Sequence, residues 1–127
     1  MYSMKIRTFI PGNVALPVIP VVEITDDMRV TGRVRKPKGI ARGVMANGTV
    51  VAWAVAREPD ANGVRHITVE TDVHHRRKGY ATACIQALVR DVREPLVYRC
   101  EERNVHSAKT ALKAGFTEVA VEDSALL

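Results

Sequence analysis

Two apolar, β-branched runs, Ala41–Ala46 and Thr49–Arg57, meet at Asn47-Gly48. This dipeptide constrains the chain more than any other short stretch. Both central residues of a two-residue hairpin turn take positive φ, which few residues besides Gly and Asn tolerate. A second turn cluster, Glu58-Pro59-Asp60-Ala61-Asn62-Gly63, leads into another strand, Val64–Thr71. Ala41–Thr71 is therefore expected to form a three-strand antiparallel meander. The period then changes. Ala81, Cys84, Ile85, Leu88 and Val89 share one apolar helical face, and the helix should end near Val92, ahead of Pro95. Leu96–Cys100 reads as a short buried strand, so strand, helix and strand make a right-handed crossover with parallel strands. A second helix, roughly Val105–Ala114, is stopped by Gly115, and a last strand runs over Phe116–Val121. The expected fold class is α/β with a mixed sheet: an antiparallel meander followed by one parallel β-α-β step.

The first forty residues are broken by Pro11, Pro17, Pro20 and Pro37. Met4–Ile10 and Val18–Ile24 are possible strands by composition. Thr25-Asp26-Asp27 resembles a helix N-cap with acids in the first turn, predicting a short helix. Arg33–Gly39 reads as an exposed loop. With 127 residues, one domain with one real core is expected. No apolar run approaches the ~18 residues that span a membrane. The N-terminus has no apolar leader pattern, so a cytoplasmic location is the default expectation. Cys84 and Cys100 lack CxxC spacing, which argues against zinc and for two core thiols in a reducing compartment.

Net charge is +5, and the cations gather in Arg29–Arg42 and Arg76–Lys78. The second cluster is unusual, because it stands where a helix begins. Helix starts carry partial positive charge and unpaired N–H groups, so cations there repel the dipole unless an anion shares the site. Gly79 and the small Ala81 let backbone amides approach oxygens, which outlines a phosphate cradle. Neither GxxxxGK[ST] nor GxGxxG is present. The run Arg76-Arg77-Lys78-Gly79-Tyr80-Ala81 does fit [RQ]-x-x-G-x-[GA], directly after the strand end Val69-Glu70-Thr71-Asp72. Together, VETDVHHRRKGYATA resembles the acetyl-coenzyme-A pyrophosphate loop of the GNAT superfamily of N-acyltransferases. Asn104, Ser107 and Gly115-Phe116 match a second family pattern, N-x-x-[AS] followed by G-[FL]. The likeness covers about residues 41–121.

The resemblance implies a single domain over 1–127, with a shortened acceptor-side region at 1–40 and a coenzyme-binding core at 41–121. It implies central strands that splay apart around acetyl-CoA. Main-chain groups near Val69 and Thr71 would pair with the pantetheine arm. Amides of Arg76, Arg77, Lys78, Gly79, Tyr80, Ala81 and Thr82 would hold the pyrophosphate. Asn104 and Ser107 would lie along the pantetheine or thiol end, although Asn104 also suits a plain helix N-cap.

Acyl transfer to an amine needs a base, an oxyanion donor and a proton for the leaving thiolate. Backbone N–H near Val69–Glu70 would supply the oxyanion donor. Period two puts His66, Thr68 and Glu70 on one face of their strand, with Arg65, Ile67, Val69 and Thr71 on the other. Glu70 and His66 are the candidate bases, Ser107 a candidate proton donor, and Tyr98 a further candidate. The tyrosine that often protonates the thiolate in this family falls on Ala111. The thiolate therefore leaves unprotonated, or another donor such as Ser107 or water acts, or the protein binds coenzyme without turnover. His74-His75 diverge and lack further ligands, so no metal site is expected. The expected function is N-acetyl transfer from acetyl-CoA to an amine of a small molecule or peptide. The alternatives are a non-catalytic CoA-binding or regulatory domain and a basic nucleic-acid-binding module. The latter leaves Gly79, Ala81, Asn104 and Ser107 unexplained. The family sheet usually closes with two strands after the last helix, and here one is visible. A homodimer covering the open edge is expected.

Overall fold

A computed structural model describes residues 4–31 and 35–124. In chain order the elements are β1 (Met4–Pro11), β2 (Val22–Glu23), β3 (Gly39–Ala46), β4 (Thr49–Arg57), β5 (Arg65–Thr71), α1 (Tyr80–Asp91), β6 (Leu96–Glu101), α2 (Val105–Lys113) and β7 (Phe116–Ser124). Among the described residues, seven strands form one sheet in the order β2-β3-β4-β5-β6-β1-β7.

The meander forms as its turn chemistry requires. Asn47 and Gly48 take φ of 51° and 75° between β3 and β4. β4 and β5 pair antiparallel, with Trp53 opposite Glu70 and Ala54 opposite Val69. β5 and β6 are parallel. The helices lie on one face of the sheet: α1 covers β3, β4 and β5, and α2 covers β6 and β7. Cys84, Ile85 and Leu88 of α1 meet Ala52, Ala54, Ile67, Tyr98 and Phe116 in the main core. The alternate residues Val50, Trp53 and Val55 point the other way. They form a smaller core with Ala41, capped by Ile24, Met28 and Val30.

The N-terminal region differs from expectation in three places. The strand expected over Val18–Ile24 shrinks to Val22–Glu23, and Val18 is 94% exposed. Pro17 and Pro20 cannot donate to a ladder there. The helix expected after Thr25 is a turn, closed by Met28 N donating to Thr25 O at 3.1 Å. The Thr25 hydroxyl binds Asp27 instead of capping an amide. The backbone then bonds to β4, with Val50 N to Arg29 O at 2.8 Å and Thr31 N to Val50 O at 2.9 Å. Arg33 and Val34 of the expected exposed loop fall outside the described residues, as does the chain end after Ser124.

The third difference concerns closure of the sheet. β1 lies antiparallel between β6 and β7, with Phe9 opposite Tyr98 and Met4 opposite Ser124. The chain's own first strand thus occupies the flank of β6, and β7 becomes the edge. From β1, residues 12–21 run over the helix side, placing Val14, Ile19 and Val21 on the main core.

Candidate active site

β5 and β6 bond only at their beginnings. Arg65 pairs with Leu96 and His66 with Val97, and beyond that point the strands separate. The gap opens a cavity of about 360 Å³ lined by Arg57, His66, Ile67, Thr68, Val69, Tyr98, Arg99 and Ser107. Strand alternation divides this lining. Ile67, Val69 and Tyr98 lie on the helix side of the sheet, and Arg57, His66, Thr68 and Arg99 on the opposite side. The cavity therefore passes through the sheet and is accessible to groups from both faces. A volume of this size suits the reacting ends of small molecules.

At the far end of β5 the chain enters the basic loop. Asp72 organises it: its Oδ2 accepts from His74 N at 3.2 Å and from His75 Nδ1 at 2.8 Å, and its own N–H donates to Val51 O at 2.7 Å. The His75 bond holds the Asp72 carboxyl below its ordinary pKa. Arg77 and Gly79 then take φ of 64° and 77°. Helical bonding starts with Ala83 N donating to Gly79 O at 3.0 Å. The first-turn amides of Tyr80, Ala81 and Thr82 therefore have no partner within the helix. Arg76, Arg77 and Lys78 are exposed, and no carboxylate among the described residues neutralises them. Among the described residues, the side chain near the position of a Gly79 Cβ is Ile19, at 3.5 Å. These features fit a diphosphate: the open first-turn amides of a helix, uncompensated cations, and a left-handed glycine with only ordinary contact over it.

On the helix side, Tyr98 is 2% exposed, and its hydroxyl lies 2.6 Å from Ser107 Oγ. Phe9 and Phe116 hold the ring edge-on, with centroids 6.3 and 6.4 Å away. Burial pushes the Tyr98 phenol above its ordinary pKa, and the bond to Ser107 opposes that shift. Asn104 is the N-cap of α2, its Oδ1 accepting from Ser107 N at 3.2 Å. Ala111 is fully buried in the main core, so the position where the family often carries a tyrosine packs against the sheet.

On the opposite side, His66 Nε2 lies 3.0 Å from Asp60 Oδ2. Asp60 also accepts from Asn62 N and Val64 N, and these bonds, Val64 first, depress its pKa. The Glu70 carboxylate has no hydrogen-bond or ion-pair partner among the described residues. It stands four residues from His66, or about 13 Å at ~3.3 Å per residue.

The structure thus brings His66, Val69 and Ser107 to one cavity and sets Thr71 at the foot of the basic loop. Glu70 does not line the cavity, and Asn104 is exposed at the start of α2. Arg57 and Arg99 escaped the sequence reading. Their only signal was an exposed cation at the end of one apolar strand and another between Tyr98 and Cys100. Among the described residues, no group of three or more His, Cys, Asp and Glu side chains gathers as metal ligands, and no helix is long and apolar enough to cross a membrane.

Comparison with known proteins agrees with this geometry. The profile of the Acetyltransferase (GNAT) family matches residues 18–116. A curated relative, Uncharacterized N-acetyltransferase YjdG of Bacillus subtilis (strain 168), is 39% identical over 64 residues, covering 46% of this chain and 38% of the relative. The chain is similar in structure to a GNAT-family acetyltransferase from Novosphingobium aromaticivorans DSM 12444, with a TM-score of 0.71 and 17% identity over 95% of this chain and 62% of that one. A GNAT acetyltransferase from Colwellia psychrerythraea gives a TM-score of 0.64 and 16% identity, covering 96% and 55% of the two chains. The chain spans less than two thirds of the length of each of these relatives.

Proposed function

The chain belongs to the acetyltransferase (GNAT) family, and from that premise we propose that it moves an acetyl group from acetyl-CoA to an amine by direct attack. The observation that carries this reading is the open first turn of α1, Tyr80 to Thr82 behind the left-handed Gly79, together with a cavity that opens where β5 and β6 part. Those amides, with the Arg76, Arg77 and Lys78 side chains, would hold the diphosphate. Main-chain groups of Val69 and Thr71, left without a strand partner toward β6, would hold the pantetheine arm, and Ser107 and Asn104 would lie beside it. Bound there, the coenzyme supplies an activated thioester carbonyl and a thiolate leaving group.

The protein's own groups handle the protons. His66 gives its Nε2–H to Asp60, which leaves Nδ1 with the lone pair that takes a proton from the attacking amine. Glu70 acts on that proton only through water. A backbone N–H near Val69–Glu70 donates to the developing oxyanion. Ser107 Oγ, bonded to the protonated Tyr98 hydroxyl, returns a proton to sulfur. This pair stands in for the aromatic donor absent at Ala111. The free, buried Cys84 and Cys100 support a cytoplasmic, reducing setting.

Thiol release from acetyl-CoA across a panel of small and peptide amines tests the proposal. Tight coenzyme binding with no transfer to any amine would favour a regulatory CoA-binding domain, the reading that buried Ala111 keeps open. DNA binding undiminished by saturating CoA would favour a nucleic-acid module. The homodimer now rests on the outer edge of β7, where Val119 and Val121 are half exposed, and a monomer in dilute sizing experiments would exclude it.

A further inference from the structure

We propose that the acceptor is a small amine carrying an anionic oxygen acid, a carboxylate or a phosphate, held between Arg57 and Arg99. The inference rests on the acetyl-transfer reading and names its substrate class. Arg57 ends β4 and lies across from His66. Arg99 follows Tyr98 on β6, across the gap from Thr68. Both residues line the cavity, on the side of the sheet away from the helices, opposite Tyr98 and Ser107. That is the side from which an acceptor would reach the thioester.

Arg57 and Arg99 share the lack of a carboxylate partner with Arg29, Arg35, Arg76, Arg77 and Arg93 among the described residues, and differ from them in lining the cavity. Arg7, Arg42, Arg65, Arg90 and Arg103 each hold a carboxylate, at 2.5 to 2.8 Å. Among the described residues, Arg57 and Arg99 hold none. No carboxylate lines the cavity beside them, and Asp60, next to His66, is engaged with His66 Nε2 and the amides of Asn62 and Val64. Guanidinium forks match carboxylate and phosphate oxygens bidentately. A cavity of about 360 Å³ that also admits the thiol end leaves room for a small acceptor. An amine anchored by its anion on Arg57 and Arg99 would present its nitrogen beside His66.

The test compares matched acceptors at equal free-amine concentration: glycine against glycinamide, and O-phosphoethanolamine against ethanolamine. Thiol release gives kcat/KM for the wild type, R57Q, R99Q and the R57E/R99E double variant, and calorimetry gives acetyl-CoA affinity for each. The anionic member of at least one pair should be preferred by tenfold or more. Which pair responds separates carboxylate from phosphate. The double variant should abolish or invert the preference, mainly through KM, with acetyl-CoA affinity unchanged within about twofold. Turnover with no preference for charge overturns this inference and leaves acetyl transfer standing. If no amine turns over, binding of N-acetylglycine and N-acetylglycinamide to the CoA-loaded protein decides. Preferential binding of the anion that is lost in R57E/R99E upholds the anion site while the catalytic reading fails, and equal binding overturns both.

Discussion

Gly79 is the position where the coenzyme reading is most exposed to test. Its φ of 77° is left-handed, and among the described residues the space above it holds Ile19 Cδ1, at 3.5 Å. Gly79→Ala adds a methyl in ordinary contact and ~1–2 kcal/mol of backbone strain. Gly79→Glu adds the same strain and a carboxylate beside the first-turn amides of α1. At ~6 Å, one facing phosphate charge is opposed by about 0.7 kcal/mol with bulk-water screening and by about 2.8 kcal/mol at an effective dielectric of ~20. Coenzyme affinity should then fall about 3-fold to 100-fold per facing charge. Gly63→Ala is the control, because Gly63 shares the φ of 77° with nothing near its Cβ position and sits in the β4–β5 turn. Calorimetric titration with CoA should show Gly63→Ala as wild type, Gly79→Ala within a few-fold, and Gly79→Glu weakest, with the deficit shrinking as salt rises. If folded Gly79→Glu binds CoA as tightly as wild type, these amides do not hold the diphosphate.

Tyr98→Phe should lower kcat by about 10²-fold, the lower end for a general acid, and leave CoA affinity intact. Because burial raises the Tyr98 pKa, the donor stays protonated past the ordinary tyrosine value, and activity should fall only as pH climbs above ~10. An unchanged kcat would remove Tyr98 from the mechanism. Asp91 closes α1 and is held well below the usual carboxylate range by Arg90 first and Arg42 second. A lowered folded-state pKa stabilises the protein above the unfolded value of ~3.9 and is lost as pH falls below it. The melting difference between wild type and Asp91→Asn should therefore be steady near neutrality and shrink below about pH 4. Gly115→Ala would drive a Cβ to 2.5 Å from Asn13 O at a φ of 97°. It should destabilise by at least ~2 kcal/mol in urea titrations, since strain and overlap add.

Much of the coenzyme side was readable in the sequence because each signal there is local. Asn47-Gly48 demanded a hairpin, the apolar spacing from Ala81 to Val89 set one helical face, and the uncompensated cations at Arg76–Lys78 announced an anion. What stayed hidden depends on pairing across long separations. Met4–Ile10 was legible as a strand, but nothing local says that its neighbours are β6 and β7. Thr25-Asp26-Asp27 carries good capping chemistry, yet bonds to Val50 prevailed over a short helix. Asn104 suited two roles equally, and contact geometry alone revealed its bond to the Ser107 amide. Arg57 and Arg99 become neighbours of one cavity only because β5 and β6 separate after their first pairs.

The place of β1 bears on how the molecule is made. Thr8 is synthesised about a hundred residues ahead of its ladder partners, Arg99 and Ala120. At ~5–20 residues per second, translation keeps this strand waiting roughly 5–20 s before both partners exist. Until then Phe9, destined for complete burial, stays exposed to other nascent chains. Assembly of the sheet therefore ends with a strand docking long after it was made, and yield in the cell should respond to chaperone supply more than the size of the domain would imply.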